Sequence, residues 1–358
     1  MFQFFRYYNN TSFFLSLSLC LLFSLPSLFP ARTLPGDFLP ADLSPNATWN
    51  NFVNFIDAGK GANFSGMSEL KKYFHRFGYL QIVPDNFTDL FDDNLEYAVQ
   101  NYQKNLGLTV TGRLDAGTVT QIMAPRCGVS DARKTSSSDE IHVTKHYAYF
   151  YGQPRWRGSS HTTLTYAFSR DHTIDYLSPS DVKDAFRRSF SRWSSVIPVN
   201  FTESDTYSTA DIKIGFYGGD HGDGEPFDGV LGVLAHAFSP ENGRLHLDDA
   251  ETWAVDFKSS KSKAAVDLES VATHEIGHIL GLAHSSVKDA IMYPSLSPRT
   301  KKVDLKIDDV EGIQALYGSN PDFSYSSLME SDISSGWVIG RSIKWLTYLV
   351  LVIVGILL

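Results

Sequence analysis

Residues 274–284 read His-Glu-Ile-Gly-His-Ile-Leu-Gly-Leu-Ala-His. A chain with this run has few ways to fold around it. On a helix, His274 and His278 lie four residues apart and share one face, so both imidazoles reach one metal ion. Glu275 lies beside them, poorly placed to be a further ligand but able to hold water at an open coordination position. Gly281 stands where the helix must end, because glycine accepts the left-handed backbone that turns a chain sharply. That turn returns His284 as a third ligand. A buried helix that merely carries histidines is one plainer reading; a metal site without chemistry is another. The spacing of Gly281 and His284 weighs against the first. Glu275 weighs against the second, since a closed structural site has no use for a base beside an open position.

The 358 residues leave room for two modest domains and targeting segments. A net charge of −9 argues against nucleic acid as a main partner. Nothing in the sequence indicates an oligomer. Arg6 precedes an apolar run from Phe13 to Phe29, broken by serines and Pro26, which predicts a secretory signal peptide over about residues 1–31. An uncleaved anchor is the alternative. Sequons at Asn46, Asn63, Asn86 and Asn200 suit that route.

Of the two cysteines, Cys20 falls inside the signal, so the exported chain keeps one thiol, Cys127. A secreted protein with a single cysteine forms an intermolecular disulfide or gives its thiol another partner, such as a metal. The other end of the chain is apolar too. Trp345–Leu358 carries no charge, but as a helix it spans only ~21 Å against a hydrocarbon core of ~30 Å. Ser334, Ser335 and Gly336 precede it with a short spacer. Small residues, spacer and apolar tail match a GPI-attachment signal, with Ser335 as the expected site. A short transmembrane anchor is the alternative. Attachment by either route would make the plasma membrane a partner.

Between these ends the pattern changes near residue 125. Residues 48–124 are expected to be helical: Leu70, Phe74 and Phe77 share a face, Leu95, Val99, Tyr102 and Leu106 repeat at helical spacing, and Asp115 caps a shorter helix. Residues 132–150 are polar and serine-rich at first, and are expected to be a cleavable linker. From 151 to 318 strands and helices alternate, with strands expected at Thr163–Phe168, Asp211–Tyr217, Val230–Phe238 and Arg244–Leu247. Helices are expected over Asp181–Val196, from near Asp267, and over Ile307–Tyr317. This is an α+β domain. Residues 319–344 read as a serine-rich stalk before the tail at 345–358.

Three stretches together resemble the matrix metalloproteinases (matrixins) of the metzincin clan: the histidine run, Met292 within Ala290-Ile-Met-Tyr-Pro294, and Pro125-Arg-Cys-Gly128; the stretch Ser285-Ser-Val-Lys-Asp-Ala-Ile-Met-Tyr-Pro294 looks most like the plant members. The resemblance implies a zincin-type domain with a small twisted mixed sheet. The helical segment before it resembles a peptidoglycan-binding-like propeptide module. An alternative function follows from that module: a wall-associated glycan-binding protein that keeps the second domain as scaffold.

The resemblance also implies roles. His274, His278 and His284 would bind catalytic zinc, Glu275 would be the general base, and Met292 would form an apolar floor below the histidines. Cys127 would occupy the zinc in a latent form, with Arg126 and Asp131 pairing, as surface ions, to hold its loop. His221, Asp223, His236 and His246 would bind structural zinc. Asp228, Asp248 and Glu251 would bind calcium. Asp211 would serve a second calcium, a site that Arg244 puts in doubt. Extracellular protein substrates would lie along Val233–Phe238. Tyr293, Pro294 and Ser295 would wall the pocket beyond the cut bond, which suits an apolar side chain there.

Overall fold

In the computed structural model the described residues are 48–81, 87–131, 146–156 and 162–325. The chain divides into two units, Met1–Ala41 and Asp42–Leu358, and the first lies wholly outside the described residues. So do the signal peptide, Asn46, Asn86, most of the linker, the tail and Ser335.

The first part of the second unit is helical. A 3-10 helix, Thr48–Phe55, precedes α1 (Met67–Arg76), α2 (Asp93–Asn105) and α3 (Ala116–Met123). Asp92 and Asp115 cap α2 and α3, accepting from the backbone N–H groups of Leu95 and Thr118. The apolar stripes expected from the sequence meet: Leu70, Phe74, Phe77, Leu95, Val99, Tyr102 and Ile122 are buried in one cluster. Phe227, Val233 and Tyr293 from the following domain close that cluster, so the helical module sits on its neighbour through apolar contact.

The second part is a six-stranded sheet with helices. Its strands are β1 (Arg126–Cys127), β3 (Thr162–Phe168), β4 (Val199–Glu203), β5 (Ile212–Tyr217), β6 (Val233–Ala237) and β7 (Arg244–Asp248), in the order β1-β6-β7-β5-β3-β4. All neighbours are parallel except β6 and β7. Two short pairs flank it: β2 (Ala148–Tyr149) with β10 (Leu282–Ala283), and β8 (Trp253–Ala254) with β9 (Val266–Asp267). The α+β expectation holds. The linker expected through residue 150 stops short of β2, which pairs with β10, and Tyr149 donates its hydroxyl to the Gly312 carbonyl.

Helix α4 (Pro179–Val196) starts at Ser178, whose hydroxyl accepts from the Asp181 N–H, with proline in the first turn. Val182, Phe186, Phe190 and Trp193 form its buried stripe. Helix α5 (Leu268–Ile279) starts at Asp267 and is buried on every side, as a central helix must be. The two are tied together deep in the core. Trp193 Nε1 donates to the Thr273 carbonyl, and the Ser189 hydroxyl donates to the Glu269 carbonyl. Helix α6 (Ile307–Tyr317) closes the domain, and Gly318 follows it. Among the described residues no helix is long and apolar enough to cross a membrane.

Candidate metal centre

Helix α5 carries His274 and His278 one turn apart. It ends at Leu280, and Gly281 takes φ +108° with its N–H on the His278 carbonyl. The chain reverses there into β10, which delivers His284. The three Nε2 atoms converge: His278 lies 3.1 Å from both His274 and His284. Each Nδ1 faces an acceptor: the Ile291 carbonyl for His274 (2.6 Å), the Leu282 carbonyl for His278 (2.7 Å) and the Asp131 carboxylate for His284 (2.6 Å). An Nδ1 that donates leaves Nε2 as a lone pair. Three lone pairs cannot hydrogen-bond to one another, so the cluster wants a cation. Burial pushes His274 and His278 well below the ordinary imidazole range, which keeps them neutral and able to ligate.

Cys127 Sγ is the fourth atom of this group, 3.4 Å from His278 Nε2, and all four ligand atoms lie within 4.8 Å of one another. A tetrahedral zinc with ordinary Zn–N and Zn–S bonds would separate nitrogens by roughly 3.3 Å and nitrogen from sulfur by roughly 3.5 Å. The donor set therefore fits zinc in both chemistry and spacing. Burial and the Glu275 carboxylate push the Cys127 thiol well up; a cation at the shared point reverses that balance.

Glu275 is fully buried, and apart from the Cys127 thiol beside it neither of its carboxylate oxygens has a partner among the described residues. Burial pushes it up to about 8. A buried carboxylate beside a ligand cluster is expensive for folding alone. Met292 is buried in the hydrophobic core, with its sulfur against Gly277 of α5. Asp309, on α6, holds the Met292 turn in place: its two oxygens accept from the Ile291 and Met292 N–H groups at 2.8 and 3.0 Å. Burial pushes Asp309 up to about 6. Nothing in the local sequence singles this residue out, because Asp-Asp at the start of a helix looks like ordinary first-turn acid.

The Cys127 strand is held from both sides. Arg126 N–H donates to the Gly232 carbonyl and Gly128 N–H to that of Ala235; Cys127 N–H donates to Pro294 and Leu296 N–H to Pro125. Strand β1 thus fills the edge of β6 where substrate was expected. The expectation of a surface Arg126–Asp131 pair needs correction. The two meet at 2.7 Å with side-chain exposures of 0% and 3%. Arg126 lies over the Phe77 ring at 3.6 Å. The helical module covers the pair, which no local pattern in the sequence reveals. Burial pushes Asp131 up, but Arg126 and His284 outweigh it and hold the carboxyl well below its usual range.

A second group lies away from this cleft. His221 Nε2, His236 Nε2 and His246 Nδ1 surround Asp223 Oδ2 at 2.9, 2.8 and 2.8 Å. Their ligand atoms also fall within 4.8 Å of one another. Three imidazoles and one carboxylate fit a closed zinc site; burial holds His236 and His246 down at about 4.

Asp228, Asp248 and Glu251 gather around the loop before β6. Asp228 accepts from the Val233 N–H, Asp248 from Gly229 and Ala250, and Glu251 from Leu231. Burial pushes Asp248 up to about 6 and Glu251 well up, and Glu251 Oε2 is left without a partner. That orphaned oxygen among acids suits a hard cation. Among the described residues these three acids do not form a metal-binding group, and Asp211 joins none either. Its carboxylate accepts from the Thr165 N–H and hydroxyl, while Arg244 lies over Phe238. Of the described sequons, Asn63 and Asn200 are exposed.

The matrixin family model matches residues 155–318, and the peptidoglycan binding domain model matches residues 65–122. Metalloendoproteinase 1-MMP of Arabidopsis thaliana is 55% identical over 350 residues, covering 94% of this chain and 95% of that protein. The chain belongs to the matrixin family. Metalloendoproteinase 1 of Glycine max is 48% identical over 73% of this chain and 85% of its own. Interstitial collagenase of Oryctolagus cuniculus is 40% identical over 62% of this chain and 42% of its own. This matrixin is a metalloendopeptidase that uses catalytic zinc, and its likeness to the plant proteins extends through the helical module.

Proposed function

We propose that this matrixin is made as a latent zinc endopeptidase, exported to the cell surface, that cleaves extracellular proteins once its helical module is removed. One observation carries the reading: three Nε2 lone pairs meet at one point with the buried Glu275 carboxylate beside them. His274, His278 and His284 would hold the zinc. Bound there, zinc lowers the pKa of water towards ~7 and polarises a carbonyl.

Glu275 would take the proton as that water attacks the peptide carbonyl, then deliver it to the leaving amine. Strand β6 would carry the substrate as an added strand once β1 leaves. Tyr293, Pro294 and Ser295 would wall the side-chain pocket. Leu234, Val271, Ile291 and Leu296 line the same cavity, which is mainly apolar. Cys127 would keep water out of the site in the precursor. His221, Asp223, His236 and His246 would hold a structural zinc, and Asp228, Asp248 and Glu251 a calcium. Asn63 and Asn200 would carry glycans, and a GPI anchor would replace the tail near Ser335.

The test is Glu275→Ala in the chain freed of its propeptide. It should keep zinc and lose peptide hydrolysis. A zinc-loaded variant that still cleaves would refute the assigned base. Mass spectrometry of the mature C-terminus tests the anchor; recovery of peptides from Trp345–Leu358 in the surface protein would refute GPI attachment.

A further inference from the structure

The three ligand histidines are not supported alike. His274 and His278 donate their Nδ1–H groups to backbone carbonyls of Ile291 and Leu282, both within the catalytic domain. His284 donates to Asp131 Oδ1, 153 residues away in sequence. Asp131 stands on the far side of the cleavable stretch. It is built into the helical module: its N–H donates to the Phe77 carbonyl, its Oδ2 accepts from the Tyr79 hydroxyl, and its Oδ1 also accepts from Arg126. Its side chain is 3% exposed.

We infer that Asp131 is a positioning residue for the catalytic zinc, acting through His284. The propeptide then supports the metal twice, through the Cys127 thiol and through the carboxylate that orients His284. Cutting the chain between them and the catalytic domain removes both. Outer-shell carboxylates fix the tautomer and ring orientation of a ligand histidine, and losing one weakens metal affinity by roughly 10–100-fold. The precursor is therefore the form that loads zinc, and the freed enzyme holds it less tightly even after allowance for the lost thiol. This rests on the reading of His284 as a zinc ligand.

The experiment separates the two supports in the full chain by removing the thiol first and the carboxylate second. Zinc affinity of the catalytic site is measured by chelator competition in the Cys127→Ser chain, with and without Asp131→Ala. Co(II) substitution reports the ligand field in parallel. If Asp131 acts through His284, Asp131→Ala weakens affinity about 10–100-fold in the chain that already lacks the thiol, and the cobalt spectrum shifts. If it acts only by holding the Cys127 loop, affinity is the same within about threefold, and the inference is overturned. A second measurement needs no fold-sensitive variant: the Cys127→Ser chain is titrated before and after propeptide cleavage. A loss of about tenfold or more is expected, and unchanged affinity overturns the inference. Should His278→Ala leave zinc binding untouched, the metal-site reading itself fails, a different outcome from either.

Discussion

Replacing Gly281 by alanine tests whether the turn after α5 is a backbone requirement. At φ +108° an L-residue is disfavoured, by about 1–2 kcal/mol for the left-handed side of the map. The space is also taken. An added Cβ would sit 2.3 Å from the Pro154 carbonyl oxygen and 3.2 Å from Leu316 Cδ1. The first neighbour is backbone and cannot rotate away, so the 148–156 segment, paired to β10 through Ala148 and Tyr149, must shift. Forcing such a shift costs about 1–3 kcal/mol. Helix propensity gives nothing back, because Gly281 lies beyond the C-cap. The sum is about 2–5 kcal/mol, or roughly 5–15 °C in Tm for a domain of this size. The assay is thermal unfolding of the zinc-loaded catalytic domain, with zinc content measured beside it. His284 follows the turn within three residues, so zinc retention should fall with Tm. A loss below about 1 kcal/mol with full zinc would refute the steric argument.

Other substitutions reach other parts of the molecule. Cys127→Ser should give a full-length precursor that cleaves peptide before any processing, since a hydroxyl is a far poorer zinc ligand than a thiolate; a silent precursor would mean that β1 and the helical module block the cleft by bulk. His236→Ala should lower thermal stability and take metal content from about two zincs towards one per catalytic domain, and two retained zincs would remove His236 from the ligand set. Glu269 gives a pH test. Burial pushes its carboxyl up, but Arg188, Lys301 and Arg192 outweigh burial and hold it at about 2, against 4.5 ordinarily. A depressed acid stabilises the fold above its unfolded pKa, and the contribution fades as pH falls from about 4.5 through 2. Arg188 and Lys301 are 48% and 44% exposed, so Glu269→Gln should cost only about 1–2 kcal/mol near pH 7. The cost should vanish near pH 2; a deficit that stays constant between those limits would assign it to packing instead.

Residue order alone specifies the local features of this protein. Spacing on one helix face places His274 and His278 together, Gly281 requires a turn that no other residue makes cheaply, and caps at Asp115 and Asp267 start their helices where expected. Apolar periodicity located α1, α2 and α4 because each needs only its own stripe to be recognised. Strand β4 escaped notice because its alternation is short and half-exposed.

Long-range packing sets every feature that depends on what comes to lie against a residue from far along the chain. Arg126 and Asp131 look like surface ions until Phe77 and Tyr79 cover them. The Cys127 segment becomes a strand only because β6 and the stretch after Met292 offer their free carbonyls and N–H groups to it. Asp309 is an unremarkable acid until its carboxylate meets the Ile291 and Met292 amides. Asp131 supports His284 only because folding brings together residues 153 apart. Short-range geometry is written in residue order, whereas burial and outer-shell hydrogen bonds arise when separate segments pack, and a single sequence carries no direct record of that.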